Sequence, residues 1–274
     1  MRRCRPLLGT FVEIDCDVAP AIDEGFASIE RVHHLMSAHE IDSDISRVNR
    51  FAHLEPVEVD DWTARVLERA LYWSKKSEGA FDVVKAGKAA VERGTLPLHQ
   101  DQPAPIAAHW KELEIRGLCV RLGRPACIDL GGIAKGFAVD RAVDAMRKSS
   151  VGFGLVNAGG DLRAFGPQAQ AISIVEPSTR APIASYELRD RALATSAGLS
   201  NDRGLSFDHL LDVWSGWTSV AVNSANACDA DALTKIVWKL GHRSKALLAM
   251  MGSYAFAIRS NGSIEHVGAE ALAG

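Results

Sequence analysis

An α+β fold is predicted for this 274-residue chain by three features. Short stretches rich in β-branched residues alternate apolar and polar positions, which is the period of a half-buried strand. Longer segments repeat apolar residues at helical spacing. No Pro-, Gly- or Ser-rich linker separates the halves, so one compact domain over residues 1–274 is expected.

The first strand is expected over 6–18, where Thr10-Phe11-Val12-Glu13-Ile14 alternates. A helix follows from Pro20 to about Met36, with Ile22, Phe26, Ile29, Val32 and Met36 on one side. The polar stretch His39–Ser46 reads as a connection. Trp62, Val66, Leu67, Ala70 and Trp73 predict a second helix over 61–77, closed at Gly79, where glycine can adopt the left-handed cap. Three prolines over 94–110 predict a loop, and two strands are expected at 112–122 and 125–130. Ile133 to about Lys148 has a clear apolar stripe through Phe137, Ala138, Ala142, Val143 and Met146. Strands are then expected before and after the Asn157–Asp161 turn, and at 171–176, 184–188, 192–195, 207–212 and 218–222. A helix from about Asp229 to Leu240 and a hairpin over 254–267 complete the chain.

Composition narrows the function. The formal charge of −3, from 31 basic and 34 acidic residues, provides no global field for nucleic acid. No apolar run is long enough for a membrane helix, and the basic start lacks the apolar core of a signal peptide. Five cysteines, widely spread and without a C-x-x-C pair, suit a reducing compartment. A cytoplasmic protein is expected.

The densest chemical signal is Asp129-Leu130-Gly131-Gly132-Ile133-Ala134-Lys135-Gly136, a glycine turn opening a helix. Such a turn lets main-chain amides approach an anion, and the helix N-terminus favours negative charge. Lys135 opposes the helix dipole there, and a phosphate would account for it. A tight structural turn with a solvent-facing lysine is the equal alternative, since the spacing is neither a P-loop nor a dinucleotide fingerprint. Asn157-Ala158-Gly159-Gly160-Asp161 reads by itself as a structural turn. Asp229 and Asp231 at the last long helix are ordinary dipole partners or, alternatively, oxygen ligands for Mg²⁺. His209, within Phe207–Asp212, is by itself a strand histidine.

Taken in chain order, these stretches resemble the ApbE family of FAD:protein FMN transferases. The resemblance covers Leu8-Gly9-Thr10, Ser43-Asp44-Ile45-Ser46-Arg47-Val48-Asn49, Gly79-Ala80-Phe81-Asp82 and the Asp129–Gly136 turn. It continues through Val156–Asp161, Ala194-Thr195-Ser196, His209–Asp212 and Ala230-Asp231-Ala232-Leu233. The fold it implies has two fused T-fold-like halves, with mixed or antiparallel sheets and flanking helices. The activity it implies is Mg²⁺-dependent transfer of FMN from FAD to a threonine or serine hydroxyl of an acceptor flavoprotein, releasing AMP. By the same resemblance Leu8, His39, Ala80, Phe81, Asp82, Asp129, Lys135, Asn157, Gly159 and Asp161 would line FAD. The Gly132 carbonyl, Asp231 and Thr234 would hold the metal, and His209 would act as general base on the acceptor hydroxyl.

The chain departs from the family pattern in places. Leu8 replaces a methionine, and His39 stands where another aromatic is expected. The run after His209 is Asp212-Val213-Trp214-Ser215-Gly216, without the usual proline and threonine. One helical turn after Asp231, Lys235 replaces a threonine. An ammonium about 4 Å from a single positive charge costs about 4 kcal/mol at an effective dielectric of about 20. Lys235 must therefore swing away or stand in for a cation, and weaker or fewer metals are expected. An FAD pyrophosphatase and a non-catalytic FAD-binding protein are the competing functions.

Overall fold

The computed structural model describes residues 1–149, 151–176, 179, 181–201, 204–206 and 217–268. In chain order its first elements are β1 (Arg2–Leu7), β2 (Thr10–Asp15), α1 (Ala19–Met36), α2 (Asp44–Phe51), β3 (Val57–Glu58), α3 (Asp61–Lys76), α4 (Val83–Glu92), β4 (Leu113–Arg116) and β5 (Cys119–Leu122). Then come α5 (Ala134–Lys148), β6 (Gly154–Ala158), β7 (Asp161–Phe165), β8 (Gln170–Val175), β9 (Pro182–Leu188), β10 (Ala192–Ala197), β11 (Leu199–Asn201) and β12 (Gly204–Ser206). The last are β13 (Trp217–Ser224), α6 (Ala227–Leu240), α7 (Lys245–Met250), β14 (Tyr254–Arg259) and β15 (Ile264–Val267). The fold is α+β with antiparallel sheets. The backbone groups into two compact units, Met1–Ile29 with Lys135–Gly274, and Glu30–Ala134.

The first unit is built on an eight-stranded antiparallel sheet of order β1-β2-β6-β7-β10-β13-β14-β15. Alternation assigns its two faces. Val12 and Ile14 of β2 are fully buried on the helix side, where Gly25 of α1 lies so close to Ile14 that a Cβ would sit 2.8 Å from its side chain. The other face carries Leu162, Leu193, Ala221, Phe256 and Ile258, which pack with Ile174, Tyr186 and Leu188 of the β8–β9 hairpin. Register makes this face continuous: Leu162 pairs Leu193, and Ala221 pairs Phe256. The expected 6–18 strand is two strands, because Leu8 (φ 54°) and Gly9 (φ 70°) form a two-residue hairpin turn.

The second unit holds α2, α3, α4 and the small sheet β3-β5-β4. Two helices here escape the sequence pattern. In α2 the buried residues include Asp44, Ser46 and Asn49, so polar side chains occupy positions where an apolar stripe is sought. In α4 the buried face is small (Val83, Val84, Gly87, Ala89, Ala90). The expected strand at 125–130 is not one. Its main chain bonds to other partners: Asn49 donates to the Ile128 carbonyl (3.1 Å) and accepts from the Ile128 amide (2.7 Å), and the Asp129 amide donates to Val83 (3.0 Å). The 112–122 stretch is the β4–β5 hairpin. The expected 207–212 strand lies outside the described residues.

Candidate functional site

Within the first unit, helices α5 and α6 are locked together at their N-termini. Gly136 approaches α6 so closely that a Cβ would stand 2.1 Å from the Ala227 carbonyl oxygen. Four residues on, and so on the same face, Asp140 accepts from the Ala227 and Cys228 amides (3.0 and 2.9 Å), two of the orphan donors of α6, and from Arg163 (2.7 Å). Asn226 caps α6 as well, accepting from the Asp229 amide at 2.8 Å and donating to the Asp229 carboxylate at 2.7 Å. The sequence motifs do not mark Gly136 and Asp140 as a pair. Their i, i+4 spacing on a helix with an apolar stripe is the signal that could find them.

That contact brings Lys135 to Asp231. The Lys135 ammonium is paired with Asp161 and lies 3.9 Å from Asp231 Oδ2. On α6, Lys235 Nζ donates to Asp231 Oδ1 at 2.5 Å, and the Gly136 amide donates to Asp231 Oδ2 at 3.3 Å. Thr234 donates its hydroxyl to the Asp231 carbonyl and shares a hydrogen bond with Ser196, both at 2.7 Å. Asp231 and Thr234 have no solvent exposure, and Asp161 has 1 %. Burial works against the charge of Lys135, but the two carboxylates outweigh it and hold the ammonium above its ordinary value. Burial likewise favours neutral Asp231, but Lys135 and Lys235 overcome it and keep the carboxyl below the usual range. Asp161 moves the other way, raised by burial and by the neighbouring Asp231 against the pull of the lysines. One atom is left over: Asp161 Oδ1 is buried with no hydrogen-bond partner among the described residues.

Two turns of the same unit stand beside each other. At Gly159 (φ 64°) a Cβ would lie 2.5 Å from the Thr10 hydroxyl, so the turn that carries Leu8 and the turn that carries Asn157 and Gly159 touch. Asn157 accepts from the Gly160 amide at 3.0 Å, a turn-stabilising bond. Leu8, half-buried at positive φ, occupies backbone that non-glycine residues seldom adopt. On the sheet face opposite the helices, a cavity of about 760 Å³ reaches Gly159 and Gly160 and is lined by Asn157, Leu162, Thr195, Ile174 and Phe256.

The remaining predicted residues that the structure describes belong to the second unit. Asp82 caps α4, accepting from the Val84 and Lys85 amides (3.0 and 3.1 Å), and its other oxygen accepts from the Trp110 amide (3.1 Å). Phe81 is buried, Ala80 half-buried and His39 exposed. Asp129 accepts from the Gly131 amide at 2.8 Å, and its own amide bond to Val83 brings it beside the Asp82 cap. Gly132 lies in the turn before α5. His209 lies outside the described residues.

Comparison with known proteins gives one family: the model of the ApbE family matches residues 8–257. The chain is 27 % identical to the FAD:protein FMN transferase of Treponema pallidum, over 85 % of this chain and 74 % of that protein. It is 28 % identical to that of Vibrio cholerae, over 78 % of this chain and 71 % of that protein. Among solved structures it resembles the ApbE protein of Thermotoga maritima (TM-score 0.83, 23 % identity, 97 % of this chain and 96 % of that one). The flavin transferase ApbE from Vibrio cholerae is similar at TM-score 0.80 (23 % identity, 99 % and 97 %). These structures share its α+β fold.

Proposed function

This chain belongs to the ApbE family, and we propose that it transfers FMN from FAD to a threonine or serine hydroxyl of an acceptor protein, releasing AMP. The relatives of Treponema pallidum and Vibrio cholerae are named FAD:protein FMN transferase. The structural observation that carries the reading is the cluster of half-buried Lys135 and Lys235 on the buried Asp161 and Asp231, which directs two ammonium groups to one place. Phosphoryl transfer depends on positioning and on neutralising the phosphate oxygens, and cations fixed on buried carboxylates serve that end.

In this reading the acceptor hydroxyl oxygen attacks the FMN phosphorus. A new P–O bond forms, the bond to the AMP phosphate breaks, and AMP leaves with the electron pair. The hydroxyl proton passes to a base, the role the family resemblance gives His209. Lys135 and Lys235 face the diphosphate oxygens, and the open acceptor Asp161 Oδ1 takes a donor from the bound dinucleotide. The cavity beside Gly159 and Gly160 has the volume of a small-molecule site and a lining that mixes polar and apolar residues. Its place by the same turn supports the reading of Asn157 and Gly159 as flavin-side residues.

The resemblance implies Mg²⁺ on Gly132, Asp231 and Thr234, but the side chains around Asp231 do not fit a divalent ion. Both Asp231 oxygens carry donors, the Thr234 hydroxyl is engaged with Ser196 and the Asp231 carbonyl, and an ammonium stands 2.5 Å from the carboxylate. Among the described residues no group of three or more His, Cys, Asp or Glu is placed to hold a metal.

No helix among the described residues is long and apolar enough to cross a membrane. The cysteines form no disulfide among the described residues, which supports a reducing, cytoplasmic setting for enzyme and acceptor. The test is incubation with FAD and a candidate flavoprotein, followed by denaturing electrophoresis and mass spectrometry. Flavin fluorescence on the denatured acceptor, with a mass gain of one FMN that His209→Ala abolishes, is expected. Free FMN and AMP without adduct would make the protein a pyrophosphatase, and intact FAD throughout would make it a binding protein.

A further inference from the structure

We propose that Lys235 is a built-in counter-ion: its ammonium holds the place on Asp231 that a divalent cation requires, so that the cluster takes up a diphosphate anion without Mg²⁺. The nature of the anion rests on the function proposed above. The occupancy of Asp231 does not.

Spacing on α6 leaves two options for Lys235, to extend away from Asp231 or to turn onto it. The structure shows the second. Lys235 Nζ lies 2.5 Å from Asp231 Oδ1, and its side chain is 11 % exposed against 0 % for Asp231. Withdrawing it would leave a carboxylate with no solvent contact holding the Gly136 amide at 3.3 Å and, among the described residues, a single cation, Lys135, at 3.9 Å. A buried ion stripped of a close partner is strongly unfavourable.

Charge and coordination agree. Lys135 and Lys235 balance Asp161 and Asp231. Without Lys235 the carboxylates would be in excess by one, and an external cation would be needed. With it, a divalent ion bound before any anion would leave an excess of two positive charges in a buried place. Mg²⁺ also demands about six oxygens near 2.0–2.1 Å. Asp231 is occupied by Lys235 and the Gly136 amide, and Thr234 by Ser196 and a carbonyl. Asp161 Oδ1 is the open oxygen of the cluster among the described residues, and one oxygen does not make a magnesium site.

The deciding measurement is a Mn²⁺ titration of the full chain, without flavin, followed by electron paramagnetic resonance. Wild type should show no saturable binding in the micromolar range, and Lys235→Thr, which removes the charge and adds a hydroxyl, should bind at least about tenfold more tightly. Wild type binding Mn²⁺ as tightly as Lys235→Thr would overturn the proposal. Should the variant fail to fold, wild type alone decides through its FAD affinity in EDTA and in excess Mg²⁺. A change below about twofold is expected, and a loss of about tenfold or more in EDTA would overturn it. Absence of FAD binding in both buffers would count against the flavin reading, while the Mn²⁺ titration would still judge Lys235.

Discussion

Asp140 shows how one side chain can organise a site it does not enter. Its carboxylate terminates the α6 helix from outside, accepting from two backbone amides and from Arg163, whose side chain is 14 % exposed. Asp140→Ala leaves that guanidinium and both amides buried without their acceptor. We expect unfolding free energy to fall by about 3–5 kcal/mol in urea denaturation, and a loss below about 1 kcal/mol would contradict this account. Glu265 gives a pH-dependent counterpart. Its carboxylate accepts from Trp217 Nε1 at 3.0 Å and meets His242 and Arg259. The Trp217 bond first, against a smaller opposing effect of burial, and then His242 and Arg259 hold it below the ordinary glutamate value. A depressed folded value means that the stabilisation is complete above the ordinary glutamate range and is lost as pH falls through the lowered one. The stability gap between wild type and Glu265→Gln should therefore be full at neutral pH and shrink on acidification. A gap that widened in acid would reverse the sign.

At the scale of elements, the decisive contact is that of α5 with α6. It works because residue 136 lacks a side chain: a methyl group there would stand 2.1 Å from a main-chain oxygen, which cannot rotate away. Gly136→Ala must push the helix N-termini apart. The expected cost is about 1–3 kcal/mol, with a Tm drop in calorimetry, and FAD affinity should fall because Lys135 and Asp231 separate. Unchanged melting would mean that the helices tolerate a wider spacing than the backbone indicates. The β6–β7 turn is governed by a similar exclusion, since Gly159 makes room for Thr10.

For the molecule as a whole, the first unit uses both faces of one antiparallel sheet. Helices cover the face with Val12 and Ile14, and the β8–β9 hairpin covers the face with Leu162, Leu193 and Phe256. The buried charges lie at α5 and α6, whereas the cavity opens under the hairpin side. A ligand that binds the folded chain alone must stabilise it by mass action. FAD at about 100 times its Kd should add about 2.7 kcal/mol to unfolding free energy, read as a concentration-dependent rise in Tm. No rise at saturating FAD would remove the flavin reading.

Local periodicity makes much of this fold legible from the amino-acid order. The stripe of Phe137, Ala142, Val143 and Met146 marks α5, alternation marks β2, and the order of short motifs points to the ApbE family, which the match over 8–257 establishes. Residues whose environment is local read well, because helical and strand periods depend on neighbours along the chain. Where side chains from elsewhere take over the backbone hydrogen bonds, periodicity misleads: Asn49 holds Ile128 where a strand is expected, and polar residues fill the buried face of α2. The candidate site belongs to both regimes. Lys135, Asp161 and Asp231 can be named from motifs, and the conflict of Lys235 with a metal follows from one helical turn of spacing. Their meeting cannot, because Gly136 and Asp231 stand 95 residues apart. Only the packing of Gly136 on Ala227 sets that distance. The inward turn of Lys235 and the unpartnered oxygen of Asp161 likewise depend on what surrounds them in space, and burial converts those neighbours into strong electrostatic partners.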